Sequence, residues 1–288
     1  MRFGIHIPPF GPLSDARVLA DLAVEAEEAG WDGFFLWDDV TFDPIIPVGD
    51  PWISLAAIAA RTQRIRLGPL VTPLPRRRPW KVAREAISLD HLSLGRLILG
   101  VGSGGASEEF ADLGEASDPK VLAAMLEEGL QILTGLWSGE PFSFEGNYYH
   151  IRAAQFLPRP VQSPSIPIWG AGGWPNKAPF RRAARWDGVF PQDIRLRGVE
   201  MMAPQEMQSL LSYMTPYRQT EASYDVVQAG ITSGLSPEQD SALIASYAAV
   251  GVTWWLENFM PQRWGGSWSD WPLDQMHRRI SQGPPKIL

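Results

Sequence analysis

Two adjacent acids and two glycine-rich stretches are the parts of this 288-residue chain whose residue types and spacing could do chemistry. Asp38 and Asp39 could contact a polar group or transfer a proton, but neighbouring residues at a strand end point apart, which disfavours a pair sharing one proton. Residues 102–104 and 170–173 are rich in glycine, so their bare backbone N–H groups could bind a phosphate or a ring carbonyl. The alternative is that these glycines only form tight turns.

Other familiar catalytic patterns are missing from the sequence. The chain has no cysteine, which excludes disulfides, thiolate metal sites and cysteine nucleophiles. Its four histidines lack metal-ligand spacing, and no G-x-S-x-G segment indicates a serine hydrolase. Residues 100–105 match the G-x-G-x-x-G pattern, but three βα units precede them and no clear acid ends a following strand about 20 residues later. An NAD-dependent Rossmann-type dehydrogenase is therefore a less favoured alternative.

Composition and charge limit the possible partners. The net charge is −7, and the one dense basic run, residues 76–78, is too short for a nucleic-acid surface. No apolar stretch approaches the ~18–20 residues of a membrane span. The apolar run over the first residues is too short for a signal peptide. We therefore expect a cytoplasmic protein that acts on a small-molecule substrate and binds neither nucleic acid nor membranes.

The hydrophobic pattern indicates an α/β protein built from eight strand–helix units. Short apolar runs rich in β-branched or aromatic residues alternate with longer stretches of helical period, which is typical of a parallel sheet. The predicted strands are residues 2–8, 33–37, 65–71, 96–101, 166–170, 188–190, 225–230 and 253–257. Eight such units in a chain of about this length predict one (β/α)8 TIM barrel domain over residues 1–288, in preference to an open doubly wound sheet.

Helix starts and one irregular segment refine this prediction. Asp50 and Asp118 each precede a proline and are predicted N-caps, and Ser236 is predicted to open a capping box. Residues 140–157 alternate apolar and polar side chains about a turn, which predicts a β-hairpin inserted between helix 4 and strand 5. The hairpin could cover one barrel end or form part of a pocket rim, and we favour the first.

Several segments resemble one family, the luciferase-like flavin and deazaflavin oxidoreductases of the bacterial luciferase superfamily. The similar segments are residues 65–73, 77–85, 90–102, 145–149, 158–162 and 167–173, so the resemblance covers roughly residues 1–190. It implies a (β/α)8 barrel that holds FMN or the deazaflavin coenzyme F-420 at the carboxyl ends of its strands. It also implies a homodimer.

The resemblance places the cofactor on particular residues of this chain. A bulge at the end of strand three, often with a non-prolyl cis peptide bond, contacts the flavin ring in this family, and here it falls on residues 69–71. The turn after strand four would approach the ring or its side chain, and the turn after strand five would bind the phosphate. The predicted cofactor-binding residues are His6, Trp37, Pro69, Leu70, Val71, Gly102, Ser103, Gly104, Gly170, Ala171, Gly172, Gly173 and Trp174. The predicted catalytic residues, as polar contacts near the reacting ring, are Asp38, Asp39 and Gln192.

Two departures from the family bear on the reaction. Many relatives carry Asp-His after strand two, where this chain has Asp38 and Asp39. FMN-using luciferases often place a basic phosphate partner beyond strand four, where residues 103–106 offer none, which favours the deazaflavin or a phosphate held by backbone. With FMN the reaction would be monooxygenation of a small organic substrate, and with the deazaflavin it would be hydride transfer. A barrel that binds a flavin or another ligand without turnover is the alternative.

Overall fold

The computed structural model describes residues 1–43, 45–104, 107–196, 200–220 and 222–286, with the backbone alone for Ser107 and Glu108. Across those residues, no helix is both long enough and apolar enough to cross a bilayer. The described strands are β1 (Arg2–Ile7), β2 (Gly33–Leu36), β3 (Arg66–Pro69), β4 (Thr72–Pro73), β5 (Leu99–Gly102), β6 (Phe142–Glu145), β7 (His150–Ala154), β8 (Ile168–Trp174), β9 (Gly188–Asp193), β10 (Asp225–Gly230) and β11 (Trp254–Asn258).

Nine of these strands form one parallel sheet that curves into a nearly closed barrel, which confirms the predicted fold. Their order is β3-β2-β1-β11-β10-β9-β8-β5-β4. Strands β3 and β4 are two halves of the third barrel strand, separated by the cis peptide bond between Leu70 and Val71. The first half pairs with β2, whereas Thr72 of the second half pairs with Val101 of β5. A bridge between Leu67 and Leu97 joins the ends of the sheet, so the ring has eight strand positions.

Helices follow the strands around the outside of the barrel. Their bounds are α1 (Ala16–Glu28), α2 (Pro51–Arg61), α3 (Pro79–Leu92), α4 (Ser107–Asp112), α5 (Pro119–Trp137), α6 (Lys177–Ala183), α7 (Pro204–Met214), α8 (Pro237–Ala249) and α9 (Leu273–Ser281). Asp50 and Asp118 cap α2 and α5 as predicted, because their carboxylates accept hydrogen bonds from the first-turn N–H groups. The prediction of a capping box at Ser236 is wrong, because the Ser236 side chain makes no cap hydrogen bond. The Asp240 carboxylate instead accepts hydrogen bonds from the backbone N–H groups of Ser233 and Gly234.

The fifth and sixth barrel strands run further than the sequence pattern indicated. Strand β8 was predicted to end at Gly170 and turn into a helix over the next residues, but it continues to Trp174. The reason is its ladder with β9, which pairs residue by residue from Trp169–Gly188 to Trp174–Asp193. The turn into α6 therefore lies at Pro175 and Asn176, and the glycines at 170, 172 and 173 belong to a strand.

Large apolar side chains fill the inside of the barrel. Phe35, Trp169 and Trp254 pack on one another with ring centroids 5.2 to 5.8 Å apart. The neighbouring Trp255 faces outward and packs against Tyr247 of α8, as alternation along a strand requires. The interior is thus a solid core on which the residues at the barrel mouth rest.

An antiparallel hairpin, β6 with β7, lies outside the ring between α5 and β8. Glu128 of α5 accepts hydrogen bonds from the backbone N–H groups of Asn147, Tyr148 and Tyr149, which fixes the hairpin turn on that helix. The chain that returns from the hairpin is held by α3, since Arg84 donates to the Leu157 carbonyl. In this position the hairpin lies along α3 and α5.

A buried arginine ties the third barrel strand to the helices around it. The guanidinium of Arg96 donates to the carbonyl oxygens of four residues at 2.7 to 2.9 Å, and none of the carboxylates that the structure describes accepts from it. The four residues are Ala59, Thr62, Ile65 and Ser93. Because these carbonyls belong to the segments around α2, β3 and α3, Arg96 fixes the start of the strand whose other end forms the site.

We predict that Arg96→Met lowers the free energy of unfolding by about 2–4 kcal/mol, because several buried carbonyls lose their donors. Urea denaturation followed by circular dichroism measures the change. The control is Arg61→Met, which removes an exposed ion pair with Asp21 and should cost less than about 1 kcal/mol. Equal losses in the two variants would contradict this account of Arg96.

Candidate functional site

Small side chains from three strands converge at the carboxyl end of the barrel. Gly102 ends β5, and a Cβ atom built on it would lie 3.0 Å from Cγ2 of Val71 and 3.7 Å from Cβ of Ala171. Val71 and Ala171 both rest on the apolar interior of the barrel. Val71, Gly102 and Ala171 therefore form a low apolar surface, which we call the platform. Such a surface suits a flat ring.

Beside the platform, one backbone edge of β8 has no neighbouring strand within the described part of the chain. The ladder between β5 and β8 ends at the pair Val101–Gly170, whereas β8 continues to Trp174 against β9. Residues 171–174 thus present one edge that β5 does not pair, and such an edge can hydrogen-bond a ligand. The glycines also serve packing: a Cβ on Gly172 would lie 2.6 Å from Pro179, so α6 could not approach as closely. The tight turn expected at Gly170, Gly172 and Gly173 is wrong, because these residues belong to β8, and binding of a ligand by their N–H groups stays a prediction.

His6 of β1 lies under the break in the third strand. Its Nε2 is 3.0 Å from the carbonyl oxygen of Leu70, and Nε1 of Trp37 donates to its Nδ1 at 3.3 Å. Because an indole nitrogen can only donate, Nδ1 must be unprotonated and the proton of the neutral ring lies on Nε2. His6 therefore donates to Leu70 and fixes the carbonyl group next to the platform.

The His6 ring is kept neutral by its surroundings. It is 2% exposed and packs against the rings of Trp37 and Phe190. Burial lowers its pKa from 6.5 to about 4, against the opposing effect of its hydrogen bonds to Leu70 and Asn258. At neutral pH this histidine holds its neighbours in place without a charge.

A cavity of about 230 Å³ opens beside His6, and its lining residue Phe190 pairs in the sheet with Ala171 of the platform. It lies at the carboxyl ends of β1, β9, β10 and β11. His6, Trp37 and Gln192, all predicted from the sequence, line it. So do Asp193, Gln228 and Asn258, which the sequence analysis missed. The strand-end rule could have indicated Asp193 and Asn258, which end the sixth and eighth barrel strands, whereas Gln228 lies two residues before the end of the seventh.

An aromatic cluster borders the cavity beside Trp37. The ring of Phe10 lies 6.0 Å from Trp37 and stacks on Phe42 at 4.6 Å, and Trp268 lies 6.2 Å from Trp37. Phe42 is partly exposed, so the cluster extends from the cavity wall to the surface. Such a wall keeps water away from one side of the site.

The two predicted acids have different surroundings. The Asp38 side chain is 1% exposed and accepts hydrogen bonds from Trp52 and Thr72. It also forms an ion pair with Arg77, with 2.7 Å between the guanidinium and the carboxylate oxygen. These contacts fix it in place between β2 and β4. Neither Asp38 nor Asp39 lines the cavity. A catalytic role for Asp38 stays a prediction, and its contacts are those of a residue that positions others.

Asp39 is a carboxyl group that titrates near neutral pH. Burial, together with the nearby carboxylates of Glu109 and Asp38, raises its pKa to about 7, against the opposing effect of Arg76. Glu109 of α4 also accepts from the backbone N–H of Val40 and from Arg76, at 2.8 and 2.9 Å. The loop after β2 is thereby fixed to the loop after β5. Asp39 can gain or lose a proton at physiological pH, whereas His6 cannot.

The remaining predicted residues fall around these features. Pro69 pairs with Leu36 inside the sheet, and Leu70 is buried in the barrel core. Gly104 has a positive φ of 98° and packs on the ring of Phe110. Trp174 is buried, and its indole donates to Glu206 of α7 at 2.6 Å. Of the glycine-rich turn after β5, Gly105 and Ala106 lie outside the described residues. Whether any of them binds a cofactor stays a prediction.

Comparison with known proteins matches the chain to one family model and to solved structures of the same fold. A family model described as luciferase-like monooxygenase matches residues 1–207. A curated relative from Nakamurella multipartita, named F420-dependent glucose-6-phosphate dehydrogenase, is 39% identical over 182 residues, which is 60% of this chain and 51% of that protein. The chain therefore spans about half the length of the curated relatives it matches.

Two solved structures share the whole fold. One is an F420-dependent secondary alcohol dehydrogenase in complex with an F420-acetone adduct, with a TM-score of 0.80 at 15% identity, covering 100% of this chain and 99% of that one. The other is a monooxygenase from Streptomyces bottropensis, with a TM-score of 0.79 at 22% identity, covering 97% and 96%. At these identities the likeness concerns the fold alone.

We predict that His6 makes the stability of the protein fall as the pH is lowered. Its folded pKa of about 4 lies below the unfolded value of 6.5, so between these values the unfolded chain binds more protons, and stability falls as pH decreases through that window. Between pH 7 and pH 5 the loss attributable to His6 should be about 2 kcal/mol. Urea denaturation of the wild type and of His6→Gln at both pH values measures it as the difference between the two losses. An identical pH dependence in both proteins would show that the ring is not held neutral.

Proposed function

Because the chain belongs to the luciferase-like monooxygenase family, we propose that it is an oxidoreductase that uses the deazaflavin coenzyme to transfer a hydride to or from a small organic substrate. The observation that carries the proposal is the platform of Val71, Gly102 and Ala171 lying beside a cavity with polar walls. The platform suits a flat ring and the cavity suits a substrate next to it. The names of the curated relatives support the choice of coenzyme.

The residues at the barrel mouth fit a tricyclic ring with a phosphate-bearing side chain. A Cβ on Gly102 would fill the space between Val71 and Ala171, so glycine keeps that surface open. The unpaired edge of β8 supplies backbone groups for the side chain. Residues 102–104 and 170–174 include no lysine or arginine. Backbone alone suits the singly charged phosphodiester of the deazaflavin better than a phosphate monoester, which approaches two charges near neutral pH.

When bound, the deazaflavin accepts or donates the hydride, and the protein positions the reactants and handles the proton. Oxidation of an alcohol releases a hydride from carbon and a proton from oxygen, leaving a carbonyl group. We assign the final uptake of this proton to Asp39, whose pKa of about 7 suits proton acceptance at neutral pH. Because Asp39 does not line the cavity, the proton reaches it through water. His6 holds the Leu70 carbonyl beside the platform, and the cluster of Phe10, Trp37 and Trp268 excludes water.

Titration of the protein with the deazaflavin coenzyme and with FMN, side by side, tests the proposal. We expect saturable binding of the deazaflavin at one site per chain and weaker binding of FMN. Gly102→Val should weaken deazaflavin binding by about 10-fold or more, because the new side chain occupies the platform. The control is Ala60→Val on the exposed face of α2, which should leave binding unchanged.

Other outcomes of the titration point to the competing functions. Tight binding of FMN alone would replace the proposal with an FMN-dependent monooxygenase. Binding of neither would leave no basis for a flavin-type enzyme, and binding of the deazaflavin without any hydride transfer would favour a barrel that binds its ligand without turnover. A homodimer stays a prediction from the family resemblance, and light scattering giving the mass of one chain would exclude it.

For the proton step we predict that Asp39→Asn lowers the rate of alcohol oxidation by about 100-fold at pH 8 while deazaflavin binding is retained. The wild-type rate should rise with pH through about 7, because the carboxylate form is the proton acceptor. Asp39→His should restore much of the rate, since histidine also titrates near neutral pH. Stopped-flow absorbance of the bound coenzyme measures each rate, with Asp112→Asn in α4 as the control. A pH profile that is the same in Asp39→Asn as in the wild type would remove Asp39 from the mechanism.

A further inference from the structure

We propose that a second cavity, outside the barrel mouth, binds the phosphate group of a small phosphate monoester with an apolar or aromatic body. This cavity, which we call the outer cavity, has a volume of about 420 Å³ and lies between the loop after β10, the chain after β11 and α9. Its lining residues, 231 to 282, follow the segment 1–207 that the family model matches. The inference does not depend on the proposed function, because it concerns a different surface of the protein.

The outer cavity is lined by three arginines, Arg263, Arg278 and Arg279. Arg263 donates to the Glu257 carboxylate at 2.7 Å, and Nη2 of Arg279 lies 3.5 Å from the same carboxylate. Burial lowers the pKa of Arg263 in spite of Glu257 and the nearby Asp240, so these acids do not fully replace its lost hydration. Among the described residues, three cations thus face these two carboxylates, and a bound anion would bring the charges closer to balance.

The outer cavity lies on the helix side of the barrel wall. Trp255 of β11 packs outward against Tyr247 of α8, and side chains two residues apart on a strand point the same way. Glu257, which pairs with the arginines of the outer cavity, therefore also points outward, and it accepts from the Trp255 indole at 3.1 Å. Asn258, the next residue, lines the cavity beside His6 instead. The two cavities are thus on opposite sides of β11.

A buried donor atom of the outer cavity lacks an acceptor. Arg279 is 5% exposed, and it donates from Nη1 to the Gly283 carbonyl and from Nη2 to the Thr232 hydroxyl, at 2.8 and 3.0 Å. Its Nε is shielded from solvent and has no hydrogen-bond partner. A Cβ atom built on Gly234 would lie 3.3 Å from this Nε, so the glycine leaves the space beside it open. A buried donor without an acceptor is unfavourable, and a phosphate oxygen would supply the acceptor.

Arg278 of α9 is exposed at the outer cavity, so its guanidinium can turn toward a ligand. None of the ion pairs found among the described residues includes it. Asp274 lies one turn earlier on the same helix, and because it is exposed, solvent screens its charge. Arg278 is therefore the cation that first meets an incoming phosphate group.

Size and the apolar side of the outer cavity define the rest of the ligand. Its volume of about 420 Å³ falls within the roughly 300–1,000 Å³ of small-molecule sites, so it holds more than a phosphate ion. Ile231, Leu235 and Trp264 form an apolar side next to the arginines. A phosphate monoester carries three acceptor oxygens and nearly two charges at neutral pH, which suits several arginine donors better than a carboxylate does.

Calorimetric titration of the coenzyme-free protein at fixed ionic strength tests the inference. The probes are phenyl phosphate, inorganic phosphate and benzyl alcohol, which present the phosphate with an aromatic body, the phosphate alone and the aromatic body alone. We expect saturable binding of phenyl phosphate at one site per chain, with an affinity at least about 10-fold above that of inorganic phosphate, and no saturable binding of benzyl alcohol. Absence of saturable phenyl phosphate binding, or an equal affinity for inorganic phosphate or benzyl alcohol, would overturn the inference.

Three variants test where the phosphate binds. Arg278→Gln should weaken phenyl phosphate binding by about 10-fold or more, because it removes an exposed cation of the outer cavity. The control Arg17→Gln removes an exposed cation of α1 and should change binding by less than about 2-fold, since distant surface charges are screened. Gly102→Val, which fills the platform, should leave phenyl phosphate binding unchanged. Equal losses in the two arginine variants, or a loss in Gly102→Val, would overturn the assignment to the outer cavity.

Arg279→Lys tests the buried donor. Lysine keeps a cation beside Glu257 but lacks Nε and the planar fork of donors, so phenyl phosphate binding should weaken by about 10-fold. Circular dichroism establishes that the variant is folded. Wild-type affinity in both Arg278→Gln and the folded Arg279→Lys would exclude the arginines as the phosphate site.

Discussion

The hydrogen bond from His6 to the carbonyl of Leu70 is the contact on which the site depends. It joins the first barrel strand to the point where the third strand breaks into β3 and β4, and it requires a neutral ring with its proton on Nε2. Burial among aromatic rings enforces that state, because a charged imidazole would be poorly solvated there. The position of Val71, and with it the platform, follows from this contact.

Around that contact the barrel mouth divides into two halves of different character. Val71 just before β4, Gly102 at the end of β5 and Ala171 within β8 form a low surface beside the edge of β8 that β5 does not pair. The carboxyl-terminal parts of β9, β10 and β11 carry Asp193, Gln228 and Asn258, which give the cavity polar walls. The loop after β2 lies to one side, where Asp39 and Glu109 share a buried, acidic environment. The first half suits a planar coenzyme, and the second half suits a small substrate. The loop after β2 carries the Asp39 carboxyl group, which can transfer a proton.

The fold could be predicted from the sequence because the period of apolar residues and the length of a strand are local properties. The partners of side chains could not be predicted, because they come from distant parts of the chain. The eight strand positions follow from such patterns, whereas the extension of β8 to Trp174 depends on its ladder with β9. The sequence indicated Asp38 as a polar contact but could not show its ion pair with Arg77, 39 residues away. The titration of Asp39 near neutral pH depends on Glu109, which α4 brings beside it. Gln228 and Asn258 carried no motif, and the strand-end rule alone could have indicated Asn258.

The protonation state of His6 is the most direct measurement of this account. Nitrogen NMR of the labelled protein, with His6→Gln used to assign the signal, distinguishes the two ring nitrogens and follows them with pH. The account predicts a protonated Nε2 and an unprotonated Nδ1 at neutral pH, with no charging of the ring until the pH approaches about 4. A proton on Nδ1, or titration at the ordinary value of 6.5, would contradict it.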